Sequence, residues 1–226
     1  MALYADTAYL HDVEALIAAY PIAGVTTNPS ILLAALQRGQ RMDDLAVLRQ
    51  LLTLTSGPVF MQPTAPDYDT LRAAALRYVE VDPSHVVLKL PLTEDGLRLA
   101  RELGPQGARY AFTACYTLAQ AYCGQQAGAE WIIPYVGRLR RAGADACHRM
   151  QEMATLVNLQ GDRTRILAAS LKSPADVVEV TLAGVHDVTV PPDVIRALPA
   201  EPLTDTAVAQ FAADWDRFTA ALAESP

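Results

Sequence analysis

The sequence predicts an α/β protein, a single (β/α)8 TIM barrel with an extra C-terminal helix, and three observations carry that expectation. Short apolar runs alternate with longer segments of helical periodicity along the 226 residues, and eight such runs are present. Strands alternating with helices imply one closed parallel barrel. Polar residues collect at the C-terminal ends of the runs, where this fold places its sites. No Pro/Gly/Ser-rich linker divides the chain, the nearest candidate being the short stretch from Pro191-Pro192 to Pro202. The expected organisation is one barrel domain over residues 1–200 and a terminal helical segment over 201–226.

Taken in order, strands are expected at residues 3–6, 24–28, 59–62, 86–90, 109–113, 131–136, 166–170 and 187–190. Leu71, Ala74, Ala75, Tyr78 and Val79 recur at helical spacing after the third, and further helices are expected at 97–103, 117–127, 144–157 and 175–183. Beyond the last strand, Val208, Phe211, Trp215, Phe218 and Leu222 recur at three- and four-residue spacing. That is a helix with one apolar stripe. The barrel has its eight units already, so this helix needs another surface, either its own barrel or a neighbouring molecule.

Composition narrows the function. Hydrophobic residues make up 51% and charged residues 19%, enough for a sizeable core and no sign of disorder. A net charge of −7 argues against a nucleic-acid partner. No apolar run approaches the roughly 18 residues of a membrane span, and the N-terminus lacks the pattern of a signal peptide. Cys115, Cys123 and Cys147 show neither CxxC nor zinc spacing and are expected as free thiols in a reducing cytoplasm. His11, His85, His148 and His186 are scattered without a ligand pattern and are expected in surface or loop positions, so neither a metal site nor a cofactor is expected.

Only two of the cations are lysines, Lys89 and Lys172. Lys89 stands in Val86-Val87-Leu88-Lys89-Leu90-Pro91, a strand apolar at every other position and therefore buried on both faces. Burial there disfavours the charged ammonium and leaves a nucleophile for carbonyl carbons, the start of Schiff-base chemistry. By strand alternation Lys89 shares its side with Val87 and projects into the lumen, while Val86, Leu88 and Leu90 meet the helices.

Seven of the eight strand ends carry polar residues: Asp6; Thr26, Thr27 and Asn28; Gln62; Lys89; Thr113; Tyr135 and Arg138; Ser170 and Lys172. Taken singly, several have a structural explanation. Asp6 could cap the helix that starts near His11, Thr113 could be satisfied by its own backbone, and Ser173-Pro174 reads as a helix start. Asn28-Pro29-Ser30 reads as an N-cap turn, with Asn28 also facing the lumen. Trp131 and Phe112 are expected as core aromatics, Phe112 on the helix-facing side. Together the polar ends read as one site.

The motifs closely resemble the transaldolase-like class I aldolases, in particular the small fructose-6-phosphate aldolase branch. The resemblance runs nearly end to end. Its segments are Leu3-Tyr4-Ala5-Asp6-Thr7, Ala23-Gly24-Val25-Thr26-Thr27-Asn28-Pro29-Ser30-Ile31, Val87-Leu88-Lys89-Leu90-Pro91-Leu92-Thr93 and Thr113-Ala114. They continue with Ala127-Gly128-Ala129-Glu130, Pro134-Tyr135-Val136-Gly137-Arg138, Leu167-Ala168-Ala169-Ser170, Leu182-Ala183-Gly184 and Thr189-Val190-Pro191.

The resemblance implies roles. Lys89 matches the Schiff-base lysine, and Asp6 the carboxylate that handles protons at substrate hydroxyls. Thr26 and Asn28 match residues that bind the dihydroxyacetone portion. Gln62, Thr113 and Tyr135 match the group around a water used in acid/base steps. Arg138, Ser170 and Lys172 match a phosphate site on the aldehyde half. Pro63, Leu171 and Arg140-Arg141 depart from the family pattern. The implied partners are sugars or sugar phosphates and further copies of the chain, in pentameric rings that pair into a decamer.

The expected activity is a class I aldolase joining dihydroxyacetone-type ketones to aldehydes such as glyceraldehyde 3-phosphate. The alternative is a transaldolase passing a dihydroxyacetone unit between sugar phosphates. Transaldolases resembling this chain end the third strand in Glu and carry Phe in the sixth, where this chain has Gln62 and Tyr135. A phenol donates and accepts a proton where Phe does neither, and Gln is no base as Glu is, so the pair points to the aldolase. A non-catalytic sugar-phosphate binder has no need of a buried amine, and a metal-dependent aldolase lacks its histidine cluster.

Overall fold

The computed structural model describes residues 1–159, 161 and 164–223. Eight parallel strands close into a barrel in sequence order: β1 (Ala2–Asp6), β2 (Ile22–Thr26), β3 (Val59–Met61), β4 (Val86–Pro91), β5 (Arg109–Cys115), β6 (Trp131–Pro134), β7 (Arg165–Ala168) and β8 (Asp187–Val190), with β8 returning to β1. The helices are α1 (Leu10–Ala19), α2 (Pro29–Gln37), α3 (Asp44–Leu54), α4 (Tyr68–Val79), α5 (Glu94–Leu103), α6 (Leu118–Gln126), α7 (Val136–Arg141), α8 (Ala146–Leu159), α9 (Pro174–Leu182), α10 (Pro192–Ala197) and α11 (Pro202–Ala223). The single (β/α)8 barrel is as expected. Two crossovers carry a second helix, after β2 and after β6.

The strand ends differ from the expected ones in an instructive way. β2, β3, β6 and β7 stop at Thr26, Met61, Pro134 and Ala168, one or two residues short of the expected ends. The polar residues that follow therefore sit on the loops above the sheet. The helices behind them start where side chains satisfy the free N–H groups. Asn28 accepts from Ile31 N with Pro29 at the first helical turn, Thr117 and Gln120 form a capping box, and Asp43, Asp67, Thr93 and Ser173 each cap one helix.

Alternation along the strands fills the barrel. Tyr4, Phe60, Val87, Ala111, Trp131, Ile133, Tyr135, Leu167 and Ala169 pack as one lumenal cluster. Tyr4, Phe60 and Trp131 meet edge to face, Phe60 and Trp131 with ring centroids 5.0 Å apart. Phe112 points the other way and lies beside Gly124 of α6, the helix-facing side expected for it. At the N-terminal end buried Asp187 accepts from Ala2 N, Trp131 Nε1 and the Arg165 guanidinium. Burial, with Asp187 close by, pushes the Tyr4 hydroxyl up to about 12. The lumen is thus closed below and open above.

The chain divides into two compact units, residues 1–195 and 196–226. The second contains α11, which has no buried residue. Val208, Phe211, Trp215, Phe218 and Leu222 are each more than half exposed. No helix among the described residues is long and apolar enough to cross a membrane.

Candidate active site

A cavity of about 370 Å³ opens at the C-terminal mouth of the barrel. Asp6, Asn28, Gln62, Lys89, Thr113, Tyr135, Arg138, Ser170 and Lys172 line it, so nine of the ten expected site residues meet there. The tenth, Thr26, is fully buried just below, where its hydroxyl donates to Asp6 Oδ1 at 2.7 Å.

Lys89 is the centre of this arrangement. It is 1% exposed, and its Nζ donates to the Thr27 carbonyl at 3.1 Å. Among the described residues it forms no ion pair. Thr27 is itself held by its hydroxyl, which donates to Phe60 O at 2.7 Å, so the carbonyl that orients the amine is fixed. Tyr135 lies over the amine, its ring centroid 5.8 Å from Nζ, and its hydroxyl accepts from Thr113 Oγ at 3.0 Å. Thr113 therefore points at a phenol, and its hydroxyl does not fold back onto its own chain.

Asp6 does not cap α1, whose first turn follows Tyr9 without a side-chain cap. Its partner is Thr26, and Thr26 in turn meets Thr189 Oγ at 2.5 Å. Because the Thr26 proton goes to Asp6, Thr189 donates to Thr26, and a relay of two buried hydroxyls ends on the carboxylate. Asn28 plays both expected parts, capping α2 and lining the cavity.

At the rim Arg138 stacks on Tyr135, its guanidinium carbon 4.6 Å from the ring centroid, and donates to Tyr116 Oη at 3.3 Å. Ser170 and Ala114, both lining the cavity, hold left-handed backbone with φ 63° and 58°. Such geometry costs a side-chain-bearing residue about 1–2 kcal/mol. At Ser170 the neighbours enforce it: Gly137 N donates to Ser170 O at 3.1 Å, and a Cβ on Gly137 would come within 2.5 Å of that oxygen.

Thr27, expected among the polar strand ends, contributes its carbonyl, and four further contributors were not among the expected residues: Thr189, Tyr116, Ala114 and Asp176, whose Oδ2 accepts the Lys172 N–H at 2.7 Å. Thr189 shares strand parity with lumenal Asp187, a signal that was available. The others act through backbone irregularity or contacts between elements, which periodicity does not carry. A roomier groove of about 640 Å³, lined by Leu97, Arg101, Tyr110 and Glu130 among others, contains no lysine. Among the described residues no group of three metal-ligating side chains gathers.

Residues 3–224 match the family described as transaldolase/fructose-6-phosphate aldolase. A probable transaldolase of Bartonella bacilliformis is 34% identical over 215 residues, covering 95% of this chain and 96% of that one. One from Symbiobacterium thermophilum is 33% identical over 216 residues, 96% and 97% of the two chains. A third, from Phenylobacterium zucineum, is 36% identical over 95% and 96%. Among solved structures a Pediococcus acidilactici lactate oxidase superposes with a TM-score of 0.58 at 14% identity, covering 84% of this chain and 62% of that one. At that identity the likeness concerns the barrel alone. With the family matched from end to end and relatives above 30% identity along nearly their whole length, the chain belongs to the transaldolase/fructose-6-phosphate aldolase family.

Proposed function

We propose that Lys89 is the Schiff-base nucleophile of a class I aldolase acting on dihydroxyacetone-type ketones and phosphorylated aldehydes. The observation that carries the chemistry is a buried amine, held by one carbonyl and without a carboxylate partner among the described residues, at the floor of an open polar cavity. The Lys89 amine adds to the ketone carbonyl, and loss of water leaves an iminium. Asp6 takes the proton from the hydroxyl next to the bond that breaks. The bonding pair moves into the iminium to make an enamine, and the aldehyde departs. Protonation of the enamine carbon and addition of water then free dihydroxyacetone and the lysine. The group Gln62, Thr113 and Tyr135 suits the last two steps, because Thr113 donates to the phenol oxygen and leaves the phenol proton for a water. Arg138, Ser170 and Lys172 suit a phosphate at the rim. Three free thiols fit a cytoplasmic setting.

A second reading has its own support. The relatives carry the name probable transaldolase, which favours transfer of the enamine to an acceptor aldehyde over its protonation. The comparisons favour this reading over release, and the Tyr135–Thr113 pair favours release. Borohydride reduction with fructose 6-phosphate is expected to label only the peptide holding Lys89, and Lys89→Met to abolish labelling and activity. Label on Lys172, or full activity in Lys89→Met, ends the proposal. Assays of free dihydroxyacetone beside transfer to erythrose 4-phosphate separate the two readings. Release should exceed transfer in the unmodified protein, and Tyr135→Phe should lower the ratio about a hundredfold, the low end of what one positioned proton donor contributes. Efficient transfer with little release leaves Lys89 chemistry standing and makes the protein a transaldolase.

A further inference from the structure

We propose that Asp176, a residue outside the cavity, is a positioning residue that sets the preference for phosphorylated substrates by clamping the loop after β7 onto α7. The inference rests on the phosphate reading of Arg138, Ser170 and Lys172 given above. Those three side chains come from two segments. Arg138 is on α7, whereas Ser170 and Lys172 are on the loop between β7 and α9. On the lumen side the segments are joined by backbone, Val136 N donating to Ala169 O and Gly137 N to Ser170 O. On the far side Asp176 joins them. Its Oδ2 accepts the Lys172 N–H at 2.7 Å, its Oδ1 accepts from Arg140 on α7, and its own N–H donates to Ser173 Oγ at 3.1 Å.

Charge explains why a carboxylate stands there. Arg138 and Lys172 line one rim and Arg140 follows on the same short helix as Arg138, and cations without counter-charges would push the segments apart. Arg140 is neutralised by Asp176 and Glu179. Among the described residues Arg138 and Lys172 form no ion pair, so those two remain for a dianion. Asp176 is only 8% exposed, and burial pushes its carboxyl up. The Lys172 N–H, the Arg140 guanidinium and the Ser173 hydroxyl outweigh burial and hold it below the usual carboxylate range. It is therefore a charged clamp at neutral pH. Because Asp176 does not line the cavity, its effect reaches substrate only through the spacing of the phosphate-facing groups.

The test compares glyceraldehyde 3-phosphate with glyceraldehyde as acceptors for dihydroxyacetone in the full-length enzyme. Asp176→Asn keeps the shape and removes the charge. It should raise KM for the phosphorylated acceptor about tenfold with kcat changed less than twofold, and kcat/KM for glyceraldehyde should fall far less. Asp176→Glu should recover part of the loss. Arg140→Gln should reproduce the loss, and the double variant should be no worse than either single one. Equal losses with both acceptors, or strictly additive losses, would overturn the inference. Lys172→Met separates its failure from that of the phosphate reading. If Lys172→Met raises KM for the phosphorylated acceptor and Asp176→Asn does not, the inference alone falls. If neither variant distinguishes the acceptors, the phosphate reading falls and takes the inference with it.

Discussion

At the scale of single residues, two side chains at the mouth hold a backbone conformation that suits glycine. Ala114 follows Thr113, and the register of β5 against β6 shifts between Thr113 and Cys115. The irregularity ends regular pairing just where Thr113 must face Tyr135, an arrangement bulges commonly serve beside active sites. Replacing Ala114 by glycine relieves the left-handed strain and is expected to raise stability by about 1 kcal/mol, read as a higher urea midpoint at unchanged slope. The same change loosens Thr113, so kcat should fall while stability rises. A variant that loses stability would show that Ala114 is not strained. Cys115, buried behind the same turn with its thiol pushed by burial up to about 12, should resist alkylation in the native protein. Cys123 and Cys147, which are partly exposed, should react first.

At the scale of elements, the barrel closes where β8 meets β1, and Asp187 holds the closure. It pairs with Ala2 across the seam and reaches Trp131 on β6 and Arg165 on β7. Removing one partner of such a buried set leaves the others unsatisfied, at a cost of about 3–5 kcal/mol. Asp187→Asn should therefore lower the urea midpoint strongly while the mouth of the barrel, at the other end of the strands, keeps its KM. A midpoint shift worth less than about 1 kcal/mol would show that the closure does not depend on this carboxylate. The elements also show how far periodicity reaches. β8 begins and ends where the apolar run does, because Asp187 and Pro191 bound it. β2 and β7 end early, because Asn28 and Ser173 give their side chains to helix caps and Ser170 turns the chain out of the sheet. A run of residue types does not reveal which polar group chooses the sheet and which the cap.

At the scale of the whole molecule, the apolar stripe of α11 carries the remaining prediction. Its five large apolar residues are exposed, Phe211 by 68% and Trp215 by 65%. An exposed stripe of that length marks an interaction surface. We propose that copies of the chain cover it, in the ring-like assembly that the family resemblance implies. Light scattering should give a particle several times the monomer mass, and Phe211→Glu with Trp215→Glu should shift it toward monomer with the barrel still folded. A stable monomer in the unmodified protein would remove the claim.

What the sequence determined by itself was the architecture and the position of the buried amine. Both follow from periodicity and desolvation, which are properties of residue type and spacing: alternating runs read as a barrel, and one lysine in an apolar strand read as buried. It also placed Asp6, Asn28, Gln62, Thr113, Tyr135, Arg138, Ser170 and Lys172 on one face, because strand ends in a barrel all point to the same mouth. Tertiary structure decided the partners. Thr189 lies 163 positions from the Thr26 it supports, and Arg140 lies 36 from Asp176. Such pairs leave no periodic trace. They exist because the barrel brings β2 and β8, or α7 and α9, within hydrogen-bond reach, and only there do the short-range directional forces that orient a site act.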